Sequence, residues 1–306
     1  MHCEGAKVLA GGTDQIVAMR LRISLPRRLV DITAIPELSF IDYREGEGLK
    51  IGATTTLKAI AASPIIRERF PFVARAASKV ASPQVREAAT LGGNLCLDTR
   101  CWYFNQSEFW RSARPLCLKT CGEVCYVKKG VECMALFSGD MAPTLIASRA
   151  KVTIAGVDGE RTVPLEDIYS GDGLRPLTIG PHEVLVQVEV PELPKGARTT
   201  YLKLAPREAI DFPVIGLAAL LKLDGDIDVA LVASAIKPRP YRLIEAEGVI
   251  REKGISPETI REAGERAMKE VGALYLVDNV PYKKESLALM VKRALKELYD
   301  EATHKA

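Results

Sequence analysis

The cysteines of this chain are concentrated in one segment. Six of the seven lie between residues 91 and 138, together with both tryptophans. They are Cys96, Cys101, Cys117, Cys121, Cys125 and Cys133. Thiols stay reduced inside cells, so a dense group of them in a chain without export signals indicates metal ligands or redox groups before disulfides. Glycine-bearing segments, Thr90–Asn94 and Ser138–Asp140, flank the group, which indicates an insert in a larger scaffold.

Length and charge limit the classes of function. A chain of 306 residues predicts about two domains, since single cores seldom exceed roughly 250–300 residues. A net charge of +3 without a basic stripe argues against a nucleic-acid partner. The apolar runs are shorter than the ~18 residues of a membrane span, and the first residues lack the regions of a signal peptide. The chain is therefore predicted to be cytoplasmic.

Two glycine pairs are candidates for anion binding. The first, Gly11-Gly12, follows a predicted strand at 7–9 and precedes a predicted helix at 14–20. Adjacent glycines at such a turn let backbone amides approach a phosphate closely. The second pair, Gly92-Gly93, precedes the cysteine segment. Neither pair belongs to the Gly-x-Gly-x-x-Gly fingerprint of nicotinamide-binding domains, so a pyrophosphate site and a plain turn both stay open.

Apolar periodicity predicts the other elements. Residues 57–81 show helical spacing, with Pro64 and Pro71 each beginning a new helix. A loop is predicted at 82–86, and a helix at 141–147 with Asp140 as its N-cap. Further strands are predicted at 28–31, 49–54, 151–155, 161–164, 183–190, 199–204, 214–223 and 227–234, and further helices at 241–252, 257–271 and 284–302.

Four cysteines follow a regular progression, separated by fifteen, seven and seven residues. They are Cys101, Cys117, Cys125 and Cys133. Four thiolates can hold a four-iron cluster or a tetrahedral zinc ion. Zinc sites usually take cysteines in closer pairs, so the spacing leaves a cluster, a zinc site and buried or redox cysteines open.

Aromatic and basic residues of the same segment favour a cluster. The aromatic side chains are predicted to form a dry shell around it, and the basic ones to offset its negative charge. The aromatic set is Trp102, Tyr103, Phe104, Phe109 and Trp110, and the basic set is Arg111, Arg114, Lys119, Lys128 and Lys129.

Five motifs occur in an order that resembles a known family. They are Ala10–Asp14, Gly52–Leu57, Ala89–Asn94, Ser138–Pro143 and Tyr201–Lys203. Over nearly its whole length the chain resembles the FAD-binding subunit of the molybdenum hydroxylases, the family of the xanthine and carbon monoxide dehydrogenases. Within that family, the cysteine insert and residues 94–101 and 104–108 resemble 4-hydroxybenzoyl-CoA reductases, whose FAD subunit carries a [4Fe-4S] cluster in such a loop. The family pattern has a longer segment before the first glycine turn than this chain has.

The resemblance implies an α+β fold in two parts. Residues 1–192 would form a two-subdomain FAD-binding domain of the PCMH type, with the insert at about 96–137. Residues 193–306 would form a small C-terminal domain of antiparallel strands plus helices. The implied FAD contacts are Val8, Leu9, Ala10, Gly11, Gly12, Thr13, Asp14, Gln15, Val80, Thr90, Gly92, Gly93, Asn94, Asp140, Leu185 and Lys203, and the implied [4Fe-4S] ligands are Cys101, Cys117, Cys125 and Cys133. Cys96 and Cys121 would stay free.

The resemblance also implies the role of an electron-transfer subunit. In a 4-hydroxybenzoyl-CoA reductase, reduced ferredoxin is the electron donor and the phenolic hydroxyl is removed, giving benzoyl-CoA and water. Electrons would pass from the [4Fe-4S] cluster to FAD, then through a small [2Fe-2S] subunit to a large molybdenum-cofactor subunit, in a dimer of heterotrimers. The alternative is the FAD subunit of an oxidising hydroxylase of the xanthine, aldehyde or carbon monoxide dehydrogenase type. A zinc-stabilised scaffold without flavin is a third possibility. No catalytic residue is expected, and His2, His182 and His304 are predicted to be surface histidines.

Overall fold

The computed structural model describes residues 5–127, 129–271 and 280–303, and three β-sheets organise this part of the chain. The first sheet is a parallel pair, β1 (Ala6–Leu9) and β2 (Arg28–Asp31), connected through helix α1 (Gln15–Arg20). Parallel strands need such a crossover because a tight hairpin can only reverse the chain. The three elements confirm the prediction from the sequence to within one residue at each end.

The second sheet has five antiparallel strands in the order β3-β4-β7-β5-β6. Their bounds are Ile41–Arg44 (β3), Gly48–Gly52 (β4), Lys151–Gly156 (β5), Gly159–Pro164 (β6) and Val184–Val190 (β7). The helices between β4 and β5 are Leu57–Ala62 (α2), Pro64–Arg69 (α3), Pro71–Lys79 (α4), Pro83–Ala88 (α5), Leu91–Leu95 (α6), Glu108–Ser112 (α7) and Met141–Ala147 (α8). The inner faces of β4, β5 and β7 and the buried faces of α2, α4, α6 and α8 share one apolar core.

Proline and serine positions explain where the short helices begin. Pro64 and Pro71 occupy the first positions of α3 and α4, as predicted, because a proline at this position loses no helical hydrogen bond. The prediction of a loop at 82–86 is wrong. Pro83 opens α5 instead, and the Ser82 hydroxyl caps it by accepting a bond from the Val85 amide at 3.3 Å.

The third sheet is antiparallel, in the order β11-β10-β9-β8. Its strands are Arg198–Leu204 (β8), Ile215–Lys222 (β9), Asp228–Ser234 (β10) and Tyr241–Arg242 (β11), and the helices that follow are Ile244–Lys253 (α9), Pro257–Glu270 (α10) and Val280–Thr303 (α11). The helix predicted from residue 241 begins at Ile244, because Tyr241 and Arg242 pair with β10. None of the helices in the described ranges combines the length and the apolarity that a membrane crossing requires.

The third sheet lies between two hydrophobic cores and contributes side chains to both. Successive residues of a strand point to opposite faces. On β9, Ala218 and Leu220 pack into the core of the five-stranded sheet, while Leu217 and Leu221 pack against α9–α11. On β8 the same alternation directs Tyr201 into the first core. The α+β architecture predicted from the sequence is therefore confirmed, and β8 delivers side chains to the interior of the first domain.

Candidate functional site

The first glycine turn, between β1 and α1, leaves backbone donors open. Gly12 has a φ of +69°, a left-handed conformation that a side chain would strain. A Cβ on Gly11 would lie 1.7 Å from the Ala88 carbonyl oxygen, so only glycine fits there. Among the described residues, no acceptor is bonded to the backbone amides of Gly11, Gly12 or Thr13. Free amides gathered at a turn fit an anion.

The second glycine turn lies next to the first. The Ala88 carbonyl, which crowds Gly11, stands two residues before Thr90, the N-cap of α6. Its backbone amides, however, already donate hydrogen bonds to acceptors within the chain. The bonds are Leu91 to Thr55 O (3.0 Å), Gly92 to Ala53 O (2.8 Å), Gly93 to Thr90 Oγ1 (3.2 Å) and Asn94 to Thr90 O (3.0 Å). Gly92 serves close packing, because a Cβ there would lie 3.0 Å from Ala53. Of the two turns predicted to face a pyrophosphate, the first is thus the one whose amides are available.

Asp140, Lys203 and Tyr201 form a buried network. Lys203 Nζ lies 3.1 Å from one carboxylate oxygen of Asp140 and 3.2 Å from the other. Tyr201 donates its hydroxyl to the same carboxylate over 2.6 Å. Lys203 also donates to the Lys79 carbonyl at 2.9 Å, which brings it next to Val80. Three predicted FAD contacts, Val80, Asp140 and Lys203, therefore come together, although they are far apart in the sequence.

Burial dominates the electrostatics of this network. Burial raises the pKa of Asp140 above its ordinary value, and the Lys203 charge and the Tyr201 hydrogen bond oppose that rise. The pKa of Tyr201 is raised well above its usual range by burial and by the neighbouring Asp140 carboxylate. Asp140 is the N-cap residue of α8, as predicted, but its side chain makes no capping bond to that helix. Its two oxygens instead bind groups on β8, which neutralise the buried charge better than backbone amides alone would.

The other predicted contacts lie around the two turns and the first core. Asn94 Oδ1 accepts from the Met141 amide at 3.1 Å, which joins the second turn to the residue after Asp140. Leu185 is buried on β7 within the apolar core. Val8 and Leu9 end β1, where Val8 is 43% exposed. The Leu185 side chain is apolar, so it can offer a ligand only apolar surface.

Two buried hydroxyls, those of Thr54 and Ser234, have no hydrogen-bond partner among the described residues, and Thr54 lies in the Gly52–Leu57 motif. Thr54 Oγ1 is sealed from solvent without a hydrogen bond, and the neighbouring Ala53 contacts Gly92. Such a group usually signals a partner from outside the chain. The open amides at Gly11–Thr13 are the feature that fits a polar, anionic ligand.

The four cysteines of the regular progression line one small pocket within the insert. Cys101, Cys117, Cys125 and Cys133 converge there, and Cys96 and Cys121 lie outside it. The cavity measures about 20 Å³, room for roughly one water molecule, so a cluster would require the walls to move outward. Among the described residues, no three His, Cys, Asp or Glu side chains stand close enough together to hold a single metal ion. This wide separation of the thiols disfavours a zinc ion, which all four must bind together, more than a cluster, in which each thiolate binds a different iron.

Two cysteines of the pocket, Cys117 and Cys125, are buried, and the other two, Cys101 and Cys133, are half-buried. Burial raises the pKa of Cys101, and it raises the pKa of Cys133 to about 11. The Tyr103 amide donates to Cys101 Sγ over 3.4 Å, and the Thr120 hydroxyl to Cys117 Sγ over 3.7 Å. Bonds of this kind tune the potential of iron–sulfur centres.

The prediction that the aromatic residues of the insert form a dry shell is partly wrong. Tyr103 and Phe104 line the pocket, but Trp102 is 64% and Phe109 88% exposed. Tyr126, which the sequence did not single out, stacks on Tyr103 with ring centroids 5.1 Å apart. Two of the five aromatic rings predicted to form the shell thus face solvent.

Of the basic residues predicted to offset the cluster charge, Lys119 reaches the pocket. Its Nζ lies 5.1 Å from the Phe104 ring centroid and lowers the pKa of Cys133. Arg114 lies over the Trp110 ring at 3.7 Å, and Lys129 is exposed. Lys128 lies outside the described residues.

Arg111 ties the insert to the loop after α1. Its guanidinium donates to the carbonyl of Leu21 over 3.1 Å and to that of Arg22 over 2.9 Å. Arg22 in turn pairs with Glu108 at 3.0 Å. The cysteine pocket is thus anchored to the unit that carries the first glycine turn.

The histidines give no sign of acid–base catalysis. His182 is exposed, while His2 and His304 lie outside the described residues. The prediction of a surface histidine is therefore confirmed for His182.

Comparisons with known proteins agree with this geometry. Residues 2–193 match the model of the FAD binding domain in molybdopterin dehydrogenase, and residues 200–298 match that of the CO dehydrogenase flavoprotein C-terminal domain. The aldehyde oxidoreductase FAD-binding subunit PaoB of Escherichia coli is 31% identical over 258 residues, 79% of each chain. The carbon monoxide dehydrogenase medium chain of Hydrogenophaga pseudoflava is 29% identical over 294 residues, 95% of this chain and 88% of that one.

Solved structures show the same fold. Carbon monoxide dehydrogenase from Hydrogenophaga pseudoflava, in a form lacking the Mo-pyranopterin moiety of its cofactor, superposes with a TM-score of 0.77 at 27% identity. The match covers 96% of this chain and 89% of that one. The chain therefore belongs to the family of FAD-binding subunits of the molybdenum hydroxylases.

Proposed function

We propose that this chain holds FAD with its first glycine turn and its Asp140–Lys203 pair, and relays electrons for a partner subunit that carries molybdenum. The observation that carries the proposal is the open set of amides at Gly11–Thr13 in a chain of the FAD-binding family. Bound FAD would supply the redox chemistry, since it exchanges electrons with both one-electron and two-electron partners. The chain's residues bind its charged groups and hold it within buried walls.

Absorption and cofactor analysis test this proposal. Protein purified without oxygen is expected to show the structured blue bands of flavin and about one FAD per chain. A colourless protein that also fails to take up added FAD would contradict the proposed role.

A [4Fe-4S] cluster on Cys101, Cys117, Cys125 and Cys133 is the second part of the proposal. Its support is the pocket that gathers these thiols and excludes Cys96 and Cys121. Iron and acid-labile sulfide are expected at about four each per chain, with broad absorbance that dithionite bleaches. Zinc in place of iron would count against this assignment and in favour of a structural site.

The enzyme that this subunit serves has two candidates. The first is an oxidising hydroxylase of the xanthine, aldehyde or carbon monoxide dehydrogenase type, and the relatives named above favour it. In that case electrons would leave the molybdenum subunit and reach FAD through a small [2Fe-2S] partner.

The second candidate is a 4-hydroxybenzoyl-CoA reductase, which the cysteine pocket favours. Electrons would then run inward, from reduced ferredoxin to the [4Fe-4S] cluster and FAD. They would continue through the [2Fe-2S] partner to molybdenum on the large subunit. There two electrons and two protons would convert the phenol to the arene and water. None of the relatives named above is such a reductase, so this finer assignment stays a prediction.

Isolation of the native complex distinguishes the two candidates. The expected partners are a large molybdenum-cofactor subunit and a small [2Fe-2S] subunit, together forming a dimer of heterotrimers in the cytoplasm. Turnover of 4-hydroxybenzoyl-CoA with reduced ferredoxin would support the reductase. Oxidation of an aldehyde, a purine or carbon monoxide would support the first candidate.

Exposed apolar side chains of the insert support the expectation of a protein partner. Trp102, Phe109, Leu116 and Val131 are each more than 60% exposed there. Exposed large apolar side chains, where they form a contiguous patch, mark a contact surface. Either the redox donor or a neighbouring subunit of the complex is proposed to cover it.

A further inference from the structure

Arg100 lies where three parts of the chain meet. Its backbone pairs with Leu136 across the neck of the insert through two N–H···O bonds of 2.8 Å. Its side chain reaches the first glycine turn, where Nη1 donates to Asp14 Oδ1 over 2.8 Å. The guanidinium also stacks over the Phe212 ring, 4.1 Å from its centroid. Neighbours from two distant segments therefore fix the direction of this cation.

The guanidinium has donors to spare. Arginine presents five N–H donors in a planar fork. In the described part of the chain, Asp14 takes the one side-chain hydrogen bond that Arg100 makes. The side chain is 27% exposed, so its charge is only partly hydrated. A fork of this kind can bind a carboxylate at one edge and a phosphate at the other.

We propose that Arg100 binds the FAD diphosphate directly and is its cationic ligand at the first glycine turn. The inference rests on the FAD site proposed above. The free amides of Gly11–Thr13 supply donors but no full positive charge, and the Asp14 carboxylate at the same turn is itself negative. Arg100 provides the missing charge, and Asp14 and Phe212 hold its guanidinium in place before the cofactor arrives.

A purely structural role is the competing explanation, because a second arginine links the same two parts of the chain. Arg22 Nη1 lies 3.0 Å from Glu108 Oε2 and joins the loop after α1 to the insert, but its side chain is 58% exposed. The variant Arg22→Gln therefore removes a comparable tie without removing charge from the glycine turn, and is the matched control for Arg100→Gln.

The test is FAD and riboflavin binding by the full chain after its flavin has been removed. Flavin fluorescence gives the Kd for wild type, Arg100→Gln, Arg100→Lys and Arg22→Gln. Arg100→Gln is expected to weaken FAD binding about 10- to 100-fold, as the loss of a charge-assisted hydrogen bond does. Arg100→Lys should lose less, since it keeps the charge but not the fork. Arg22→Gln should bind FAD like wild type.

Riboflavin separates a phosphate contact from a structural one, because it has no diphosphate. Its affinity should be the same in wild type and Arg100→Gln. The Kd for FAD should also rise less steeply with salt in Arg100→Gln than in wild type, because one screened attraction is gone. Equal weakening of FAD and riboflavin, or an unchanged salt dependence, would overturn the inference. Failure of wild type itself to bind FAD would instead refute the proposed function.

Discussion

Asp140 and Lys203 form an ion pair that is almost sealed from solvent. Their charged atoms lie 3.1 Å apart, and only 4% of the Asp140 side chain and 6% of the Lys203 side chain are exposed. Tyr201, two residues before Lys203 on β8, binds the same carboxylate. This pair joins the third sheet to α8, so the geometry of the proposed FAD site depends on it.

Removal of the cation should destabilise the fold strongly. Lys203→Met leaves the Asp140 carboxylate buried with only the Tyr201 hydroxyl as a partner, and breaking a buried pair in this way costs about 3–5 kcal/mol. Urea unfolding of the protein without flavin measures the change. The control is Lys253→Met, which breaks the solvent-exposed pair with Glu262 at 2.7 Å and should change stability little. Similar losses in both variants would show that the buried pair contributes nothing special.

Gly12→Val should abolish tight FAD binding. The left-handed φ of +69° strains any β-branched residue, by about 1–2 kcal/mol, and a side chain there would also crowd the amides proposed to face the diphosphate. Gly225→Val is the matched control, because Gly225 has a φ of +73° and no atom near its Cβ position. Both variants should lose stability, but only Gly12→Val should lose flavin on dialysis. Retention of flavin by Gly12→Val would remove the first turn from the site.

Local signals in the sequence were enough to predict most elements of the fold. Pro64 and Pro71 each open a helix as predicted, and the strands predicted at 151–155 and 161–164 and at 214–223 and 227–234 pair as two hairpins. Ser82-Pro83 was misjudged because this dipeptide is equally typical of a turn and of a helix start. What decides between them is the space for α5 beside α2, which a single sequence does not show.

The site depends on contacts between residues distant in sequence, and these limited the prediction. Asp140 was placed correctly at the start of α8, but its partner Tyr201 is 61 residues away. Local signals therefore offered helix capping for Asp140, and its role as an FAD contact came from the resemblance alone. Arg100 was passed over for the same reason, since its partner Asp14 is 86 residues away. The exposed Trp102 and Phe109 show the converse error, because hydrophobicity alone does not say which side of a loop is covered.

Lys283 should make stability rise with pH in the alkaline range. The side chain is only 2% exposed, its Nζ donates to the Ala235 carbonyl, and burial lowers its pKa to about 7. In the unfolded chain a lysine titrates near 10.4. Between about pH 7 and 10 the unfolded chain therefore binds more protons than the folded one, and stability rises with pH by up to about 1.4 kcal/mol per unit from this group. Below about pH 7 both states are charged and the contribution is constant.

Urea unfolding at pH 7, 8 and 9 measures that slope. Lys283→Met should lose this part of the pH dependence, while Lys195→Met, at an exposed lysine, should keep it. A slope that is the same in wild type and Lys283→Met would mean that the ammonium stays charged in the folded protein.

The two cysteines on either side of one short turn should differ in their effect on iron. Cys117 lies in the pocket and begins the 3-10 turn Leu118–Thr120, and Cys121 ends that turn exposed, with a φ of +65°. Cys117→Ser is expected to lose cluster iron and keep FAD, because serine retains the turn but not the thiolate ligand. Cys121→Ser should keep both, and it controls for disturbance of the turn itself. Iron and flavin content, measured after purification without oxygen, decide the matter. Equal iron loss in the two variants would refute the ligand set, and iron retained in both would place the cluster elsewhere.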